Sequence, residues 1–133
     1  MRLVPRCGSA GEQPILGPSD FAGQYGKGWG KPKPRTIYNG VAPSGLVRKI
    51  RWRKWGTSVA RGRGRTYIYR PEGGYYPGSV PAELRVSNVG FCNGGFRLMY
   101  RRLLIRVPTR PGGNFGRWYS WSGARSLCNS PVA

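Results

Sequence analysis

From residue 36 onward, apolar residues occur in short runs that alternate with polar ones and are separated by Gly, Pro, Asn and Ser. No stretch repeats apolar residues at the i, i+3, i+4 spacing of an amphipathic helix, and Gly and Pro are frequent. The pattern predicts strands at residues 46–55, 58–69, 82–89, 96–107 and 114–121. Strands at this spacing are typical of a mostly β fold, here a small antiparallel sandwich or barrel.

The strand at residues 46–55 is predicted to have one apolar and one charged face, because side chains alternate across a sheet. We expect Leu46, Ile50 and Trp52 on the inner face. The outer face would then carry Val47, Lys49, Arg51, Arg53 and Trp55.

The strand at residues 58–69 alternates more regularly. Its inner face is predicted to be small enough for another backbone or a Trp ring to approach closely, with Ala60, Gly62, Gly64, Thr66 and Ile68. Its outer face would carry Arg61, Arg63, Arg65, Tyr67 and Tyr69. Arginines two residues apart lie about 7 Å apart, which is similar to the phosphate spacing of an extended single strand. The alternative is a solvated outer face that discourages edge-to-edge aggregation.

Residues 96–107 are predicted as a central strand because both of their sides are apolar. Phe96, Tyr100 and Leu104 would share one side, and Pro108 would end the strand. Trp52 and Trp121 are expected in the core, since most tryptophans of a small β domain are buried there.

Residues 1–37 lack any strand or helix period and are rich in Gly, Pro, Ser and Lys. We therefore expect residues 1–37 to be a flexible basic arm, residues 38–128 the β domain and residues 129–133 a tail. Lys27, Trp29, Lys31 and Lys33 are candidate arm contacts, because a tryptophan among lysines suits base stacking with phosphate contact. The alternative is a linker whose aromatic residues pack on the domain.

Charge changes this picture most. The chain has 23 Lys and Arg against 4 Asp and Glu, a formal net charge of +19 on 133 residues. Such a chain repels itself unless anions are near, so the expected partner is a polyanion. No apolar run approaches the roughly 18 residues of a membrane-spanning helix.

The sequence contains no histidine. Histidine is the usual general base and the commonest metal ligand, so we expect no metal site, no cofactor and no enzymatic activity. The carboxylates are scattered, at Glu12, Asp20, Glu72 and Glu83. A ribonuclease that works without histidine, with Glu72 or Glu83 and Tyr67 as its candidates, is the catalytic alternative.

The three cysteines are Cys7, Cys92 and Cys128. A bridge between Cys92 and Cys128 would stabilise the fold by roughly 3 to 4 kcal/mol through loop closure. The alternative is three free thiols in a reducing compartment.

A set of short motifs between Trp52 and Pro108 carries a resemblance: WRKWG at residues 52–56, then Ala60, Gly62 and Gly64, then NVGFCNG at residues 88–94, then Tyr100. This stretch resembles a group of small secreted proteins from actinobacteria. The resemblance implies a compact β domain and export, assigns no catalysis and supplies no functional residues. The high arginine content departs from that pattern.

These observations favour a non-catalytic β domain that binds nucleic acid, RNA included, with little sequence preference. The candidate polyanion-binding residues are Lys49, Arg51, Arg53, Arg61, Arg63, Arg65, Tyr67 and Tyr69. A secreted cell-envelope protein that docks on acidic surface polymers is the alternative. Removal of a signal peptide would place the chain outside the cell; otherwise it would be cytoplasmic and associated with nucleic acid.

Overall fold

The computed structural model describes residues 13–70, 72–108, 116–121 and 124–129. These residues form one sheet whose strands are β1 (Ile15–Leu16), β2 (Ile37–Tyr38), β3 (Leu46–Arg53), β4 (Ala60–Thr66), β5 (Val80–Gly90), β6 (Met99–Arg106) and β7 (Tyr119–Ser120). The sheet order is β1-β6-β5-β4-β3-β2, and β7 also pairs with β6. The mostly β prediction is confirmed.

The sheet is a half-barrel built mainly from antiparallel strands. The central strands β3, β4, β5 and β6 follow one another in sequence, and each pairs antiparallel with the next. Only the short β1 runs parallel to its neighbour, with Ile15 opposite Met99 and Leu16 opposite Tyr100. The curled sheet therefore has an inner face, which holds the core, and an outer face.

The side chains on the inner face of β4 are small, and atoms of β3 lie close to them. A Cβ atom added at Gly62 would lie 2.8 Å from Cε3 of Trp52, and one at Gly64 would lie 2.7 Å from the carbonyl oxygen of Arg48. Ala60 is fully buried, and the hydroxyl of Thr66 donates a 2.7 Å hydrogen bond to the carbonyl of Leu46. The predicted inner face of this strand is thus correct.

The predicted faces of β3 are wrong at its start. The pairing of β3 with β4 has one extra residue between Arg48 and Arg51, and Lys49 there has a positive φ of 55°. This bulge shifts the alternation by one position. Val47 is consequently buried inside, whereas Arg48 pairs with the outward Arg65.

The prediction of a flexible arm does not hold for residues 13–37. Ile15 and Leu16 form β1, and Phe21 and Trp29 are buried in the core. Trp29 is only 4% exposed and donates a hydrogen bond from Nε1 to the carbonyl of Tyr38. The aromatic rings therefore pack on the domain, as the alternative expected, and Trp29 does not serve as an exposed stacking surface. The first part of the predicted arm, residues 1–12, lies outside the described residues, as does most of the tail.

The segment before β6 also differs from the prediction. The strand begins at Met99, and Phe96 is 93% exposed in the loop that precedes it. This loop is held by the predicted disulfide, because Cys92 and Cys128 are bonded with their Cα atoms 5.2 Å apart. Cys7 lies outside the described residues.

Candidate anion-binding face

Four arginines from two neighbouring strands meet on the outer face of the sheet. Arg51 of β3 lies opposite Arg63 of β4, and Arg53 lies opposite Arg61. Two cross-strand pairs thus place the backbones of four arginines at the corners of a square. All four side chains are exposed. We call these four residues the arginine square.

The arginine square borders an open cavity of about 440 Å³. The lining residues are Arg51, Arg53, Arg61, Gly62, Arg63, Glu83, Leu84 and Trp118. A volume of this size is within the range of small-molecule and cofactor sites. The cavity therefore combines several guanidinium groups with one carboxylate and one indole ring.

The guanidinium groups of the arginine square have no ion-pair or hydrogen-bond partner among the residues that the structure describes. Like charges directly opposite one another on a sheet destabilise it by roughly 0.2 to 1 kcal/mol per pair. A bound anion would remove this repulsion, and guanidinium groups are well suited to bidentate contacts with phosphate or sulfate.

Glu83 introduces a negative charge at the edge of the arginine square. It lies opposite Arg63 on β4 and opposite Arg106 on β6. Its Oε1 accepts a 2.7 Å hydrogen bond from Nε of Arg106, which forms an ion pair. Glu83 is thus neutralised by a cation outside the square.

Trp118 is held over the outer face by two cations. The guanidinium carbon of Arg85 lies 5.0 Å from the centre of its ring, and that of Arg106 lies 4.9 Å from the same point. Such cation–π contacts fix the ring without hydrogen bonds. Arg106 therefore contacts both Glu83 and Trp118.

Other predicted binding residues lie apart from this cavity. Lys49 is exposed but belongs to the bulge. Arg65 donates hydrogen bonds to the hydroxyl and the carbonyl of Ser79, both at 2.8 Å. Tyr67 accepts a hydrogen bond from Arg48, and the Tyr69 ring packs edge-on against Tyr75. The structure thus brings together Arg51, Arg53, Arg61 and Arg63 of the predicted set and leaves the rest outside. Lys27, Lys31 and Lys33 are exposed.

The predicted polyanion-binding set does not contain Glu83, Arg85, Arg106 or Trp118, and Glu83 is a candidate only in the catalytic alternative. A signal for the first two was available, because Glu83 and Arg85 alternate with the buried Leu84 and so face outward. Trp118 reaches the cavity from the segment before β7, and this placement depends on contacts between residues distant in sequence.

Among the candidates for catalysis, Glu83 lies apart from the other two. Glu72 and Tyr67 do not line the cavity that contains Glu83. Arg70 lies 2.7 Å from Glu72, and its hydrogen bond holds the pKa of that carboxyl below its ordinary value. A carboxyl with a lowered pKa is a poor general acid near neutral pH. In the described ranges no group of three potential metal ligands occurs.

The motif residues Trp52, Trp55 and Tyr100 have structural roles. Trp55 packs edge-on against both Trp52 and Tyr100, with ring centres 4.8 and 4.9 Å away. The amide of Gly56 donates a hydrogen bond to the Tyr100 hydroxyl, which donates in turn to the carbonyl of Thr57. Burial raises the pKa of Tyr100, and the hydrogen bond from Gly56 partly opposes this shift.

Comparison of the chain with protein-family models, curated proteins and solved structures gives no significant match. None of the described helices has the length and apolar character needed to cross a bilayer.

Proposed function

We propose that this protein is a non-catalytic binding domain for single-stranded nucleic acid. The arginine square contacts the phosphates, and Trp118 offers a ring for base stacking. Most of the affinity is independent of sequence because phosphate contacts carry no sequence information. The observation that carries the proposal is the concentration of four guanidinium groups, without protein partners among the described residues, around one open cavity.

The geometry of β4 supports an extended strand as the ligand. Arg61 and Arg63 are two residues apart, about 7 Å along the strand, and Arg51 and Arg53 repeat this spacing on β3. A flexible single strand can place successive phosphates at such distances, whereas a rigid duplex meets a sheet face at fewer points. Tryptophan stacks with every base, so its contribution is tolerant of sequence.

A salt titration tests the electrostatic basis of this proposal. If four to six phosphates are neutralised, the logarithm of the association constant for oligouridylate should fall with the logarithm of salt concentration with a slope of about −3 to −4. The measurement is fluorescence anisotropy of a labelled oligonucleotide. A slope near zero would contradict the proposal.

Matched variants distinguish a site from bulk charge. We expect Arg51→Gln, Arg61→Gln and Arg63→Gln together to reduce affinity at least tenfold. The control triple variant changes Arg35, Arg97 and Arg125 to Gln, which removes the same charge from exposed positions outside the cavity. Equal losses in both triple variants would show that net charge alone binds the oligonucleotide.

The disulfide supports a second candidate function, that of an exported protein bound to acidic polymers of the cell surface. Bonds such as Cys92–Cys128 persist mainly in oxidising compartments. A poly(glycerol phosphate) polymer supplies phosphates but no bases, so Trp118→Leu should weaken RNA binding and leave polymer binding unchanged. Competition between the two ligands at equal phosphate concentration decides between the functions.

A further inference from the structure

The carboxylate of Glu83 lines a cavity whose other charged residues are the arginines of the square. A site that bound phosphates alone would be stronger without this negative charge. Oε1 of Glu83 bonds to Arg106, whereas Oε2 has no hydrogen-bond partner among the described residues. Each carboxylate oxygen can accept two hydrogen bonds, so Glu83 retains capacity for a donor in the ligand.

Arg106 fixes Glu83 and Trp118 next to each other. Its guanidinium group donates to Glu83 at 2.7 Å and lies 4.9 Å from the centre of the Trp118 ring. Both residues line the same cavity. A flat ring that stacks on Trp118 therefore has a hydrogen-bond acceptor near its edge and the arginine square nearby for its phosphate.

We propose that this corner of the cavity reads one base of the bound strand and selects guanine. The inference rests on the proposed function, because it assigns a base to the strand that the arginine square holds. Guanine stacks on Trp118, and its N1–H and N2–H groups donate to the carboxylate of Glu83. The neighbouring nucleotides are bound by their phosphates without selection.

The chemistry of the base edges favours guanine. Its pairing edge presents two adjacent donors, N1–H and N2–H, whose spacing matches the two oxygens of a carboxylate. The pairing edge of adenine or cytosine has one amino donor beside a ring acceptor, and that of uracil has one imino donor between two carbonyl acceptors. An acceptor placed against a carboxylate is repelled, so only guanine gains a bidentate contact.

The first test uses the unmodified full chain. Four nine-nucleotide oligouridylates carry guanine, inosine, adenine or cytosine at the central position, and anisotropy gives their dissociation constants at one salt concentration. We expect guanine to bind about tenfold more tightly than adenine or cytosine, which is within the range of bidentate base contacts. Inosine should fall between them, because it lacks the amino group at position 2.

A variant at Glu83 tests the assigned residue. Glu83→Gln keeps an oxygen for Arg106 but replaces the second acceptor with a donor, so the preference for guanine should disappear while binding of plain oligouridylate is retained. Glu72→Gln is the matched control: it removes the same charge from an exposed residue outside the cavity and should leave the preference intact. Circular dichroism of each variant verifies the fold.

The outcomes separate the two proposals. Equal binding of all four oligonucleotides to the unmodified chain overturns the guanine inference and leaves the proposed function standing. Failure of all four to bind overturns the proposed function. A preference for guanine that survives Glu83→Gln shows that another group reads the base. If Glu83→Gln does not fold, Trp118→Leu must reduce the preference for guanine, and an unchanged preference overturns the inference.

Discussion

The two faces of β4 differ in how fully the fold accounts for them. On the inner face, Ala60 is buried, Gly62 makes room for Trp52, and Thr66 bonds to Leu46. On the outer face, Arg61 and Arg63 form no ion pair or hydrogen bond within the described residues, and each lies opposite an arginine of β3. Packing determines the inner residues. The outer arginines face like charges across the sheet, and the proposed function gives them phosphates as ligands.

Valine substitutions on the two faces of β4 provide the largest contrast. Gly62→Val would force side-chain atoms against Trp52 and Ile50, and we expect it to lower the free energy of unfolding by about 2 to 3 kcal/mol. Arg63→Val places the same side chain at an exposed position. It should change the free energy of unfolding by less than about 0.5 kcal/mol. Urea unfolding measures both. Similar losses in the two variants would show that the outer face of β4 contributes to stability as much as the inner face.

The presence of the strands and the two faces of β4 could be predicted from the sequence, because the alternation of residue types along a strand is a local signal. The faces of β3 could not, because the bulge at Lys49 depends on pairing with β4. The burial of Trp29 depends on its contacts with Phe21 and Trp121, which are brought together only by the complete fold. Glu83, Arg106 and Trp118 likewise meet across strands. The arginines of the cavity were therefore predictable, whereas the corner formed by these three residues was not.

Loss of a hydrogen bond on the inner face should lower the free energy of unfolding less than Gly62→Val and more than Arg63→Val. Thr66→Val keeps the shape of the side chain but leaves the Leu46 carbonyl without its hydroxyl donor, and the expected loss is about 1 kcal/mol. Ser79→Ala is the comparison on the outer face, where Arg65 keeps the carbonyl of Ser79 as an acceptor and the half-buried site lets water replace the hydroxyl. We expect little change there. A larger loss for Ser79→Ala would assign a structural role to the outer face.

Removal of the outer charges should stabilise the free protein slightly. Arg61→Gln with Arg63→Gln relieves cross-strand repulsion, and the free energy of unfolding should rise by about 0.5 kcal/mol at low salt. The gain should vanish at high salt, because counter-ions screen exposed charges. A loss of stability at low salt would mean that the arginines contribute to folding.

The loss of stability at alkaline pH should depend on Tyr100, a residue of the inner face. Burial raises the pKa of Tyr100, so in the folded state its hydroxyl keeps its proton at a pH where the unfolded chain releases it. Stability that is present below the unfolded pKa, roughly 10, is then lost as the pH rises above that value. The Tyr100→Phe variant should lose less stability than the unmodified protein between pH 9 and 11, as measured by the midpoints of urea unfolding.

The two ends of the described chain meet on the same strand. Ile15 and Leu16 pair with the start of β6, and the amide of Leu127 donates a hydrogen bond to the carbonyl of Arg101 one residue further along. Leu127 is fully buried, and its side chain lies against Gly17. The core is therefore complete only when segments from both ends of the described chain have come together on β6. Contacts between residues so distant in sequence slow folding, because the entropy of loop closure is lost before they form.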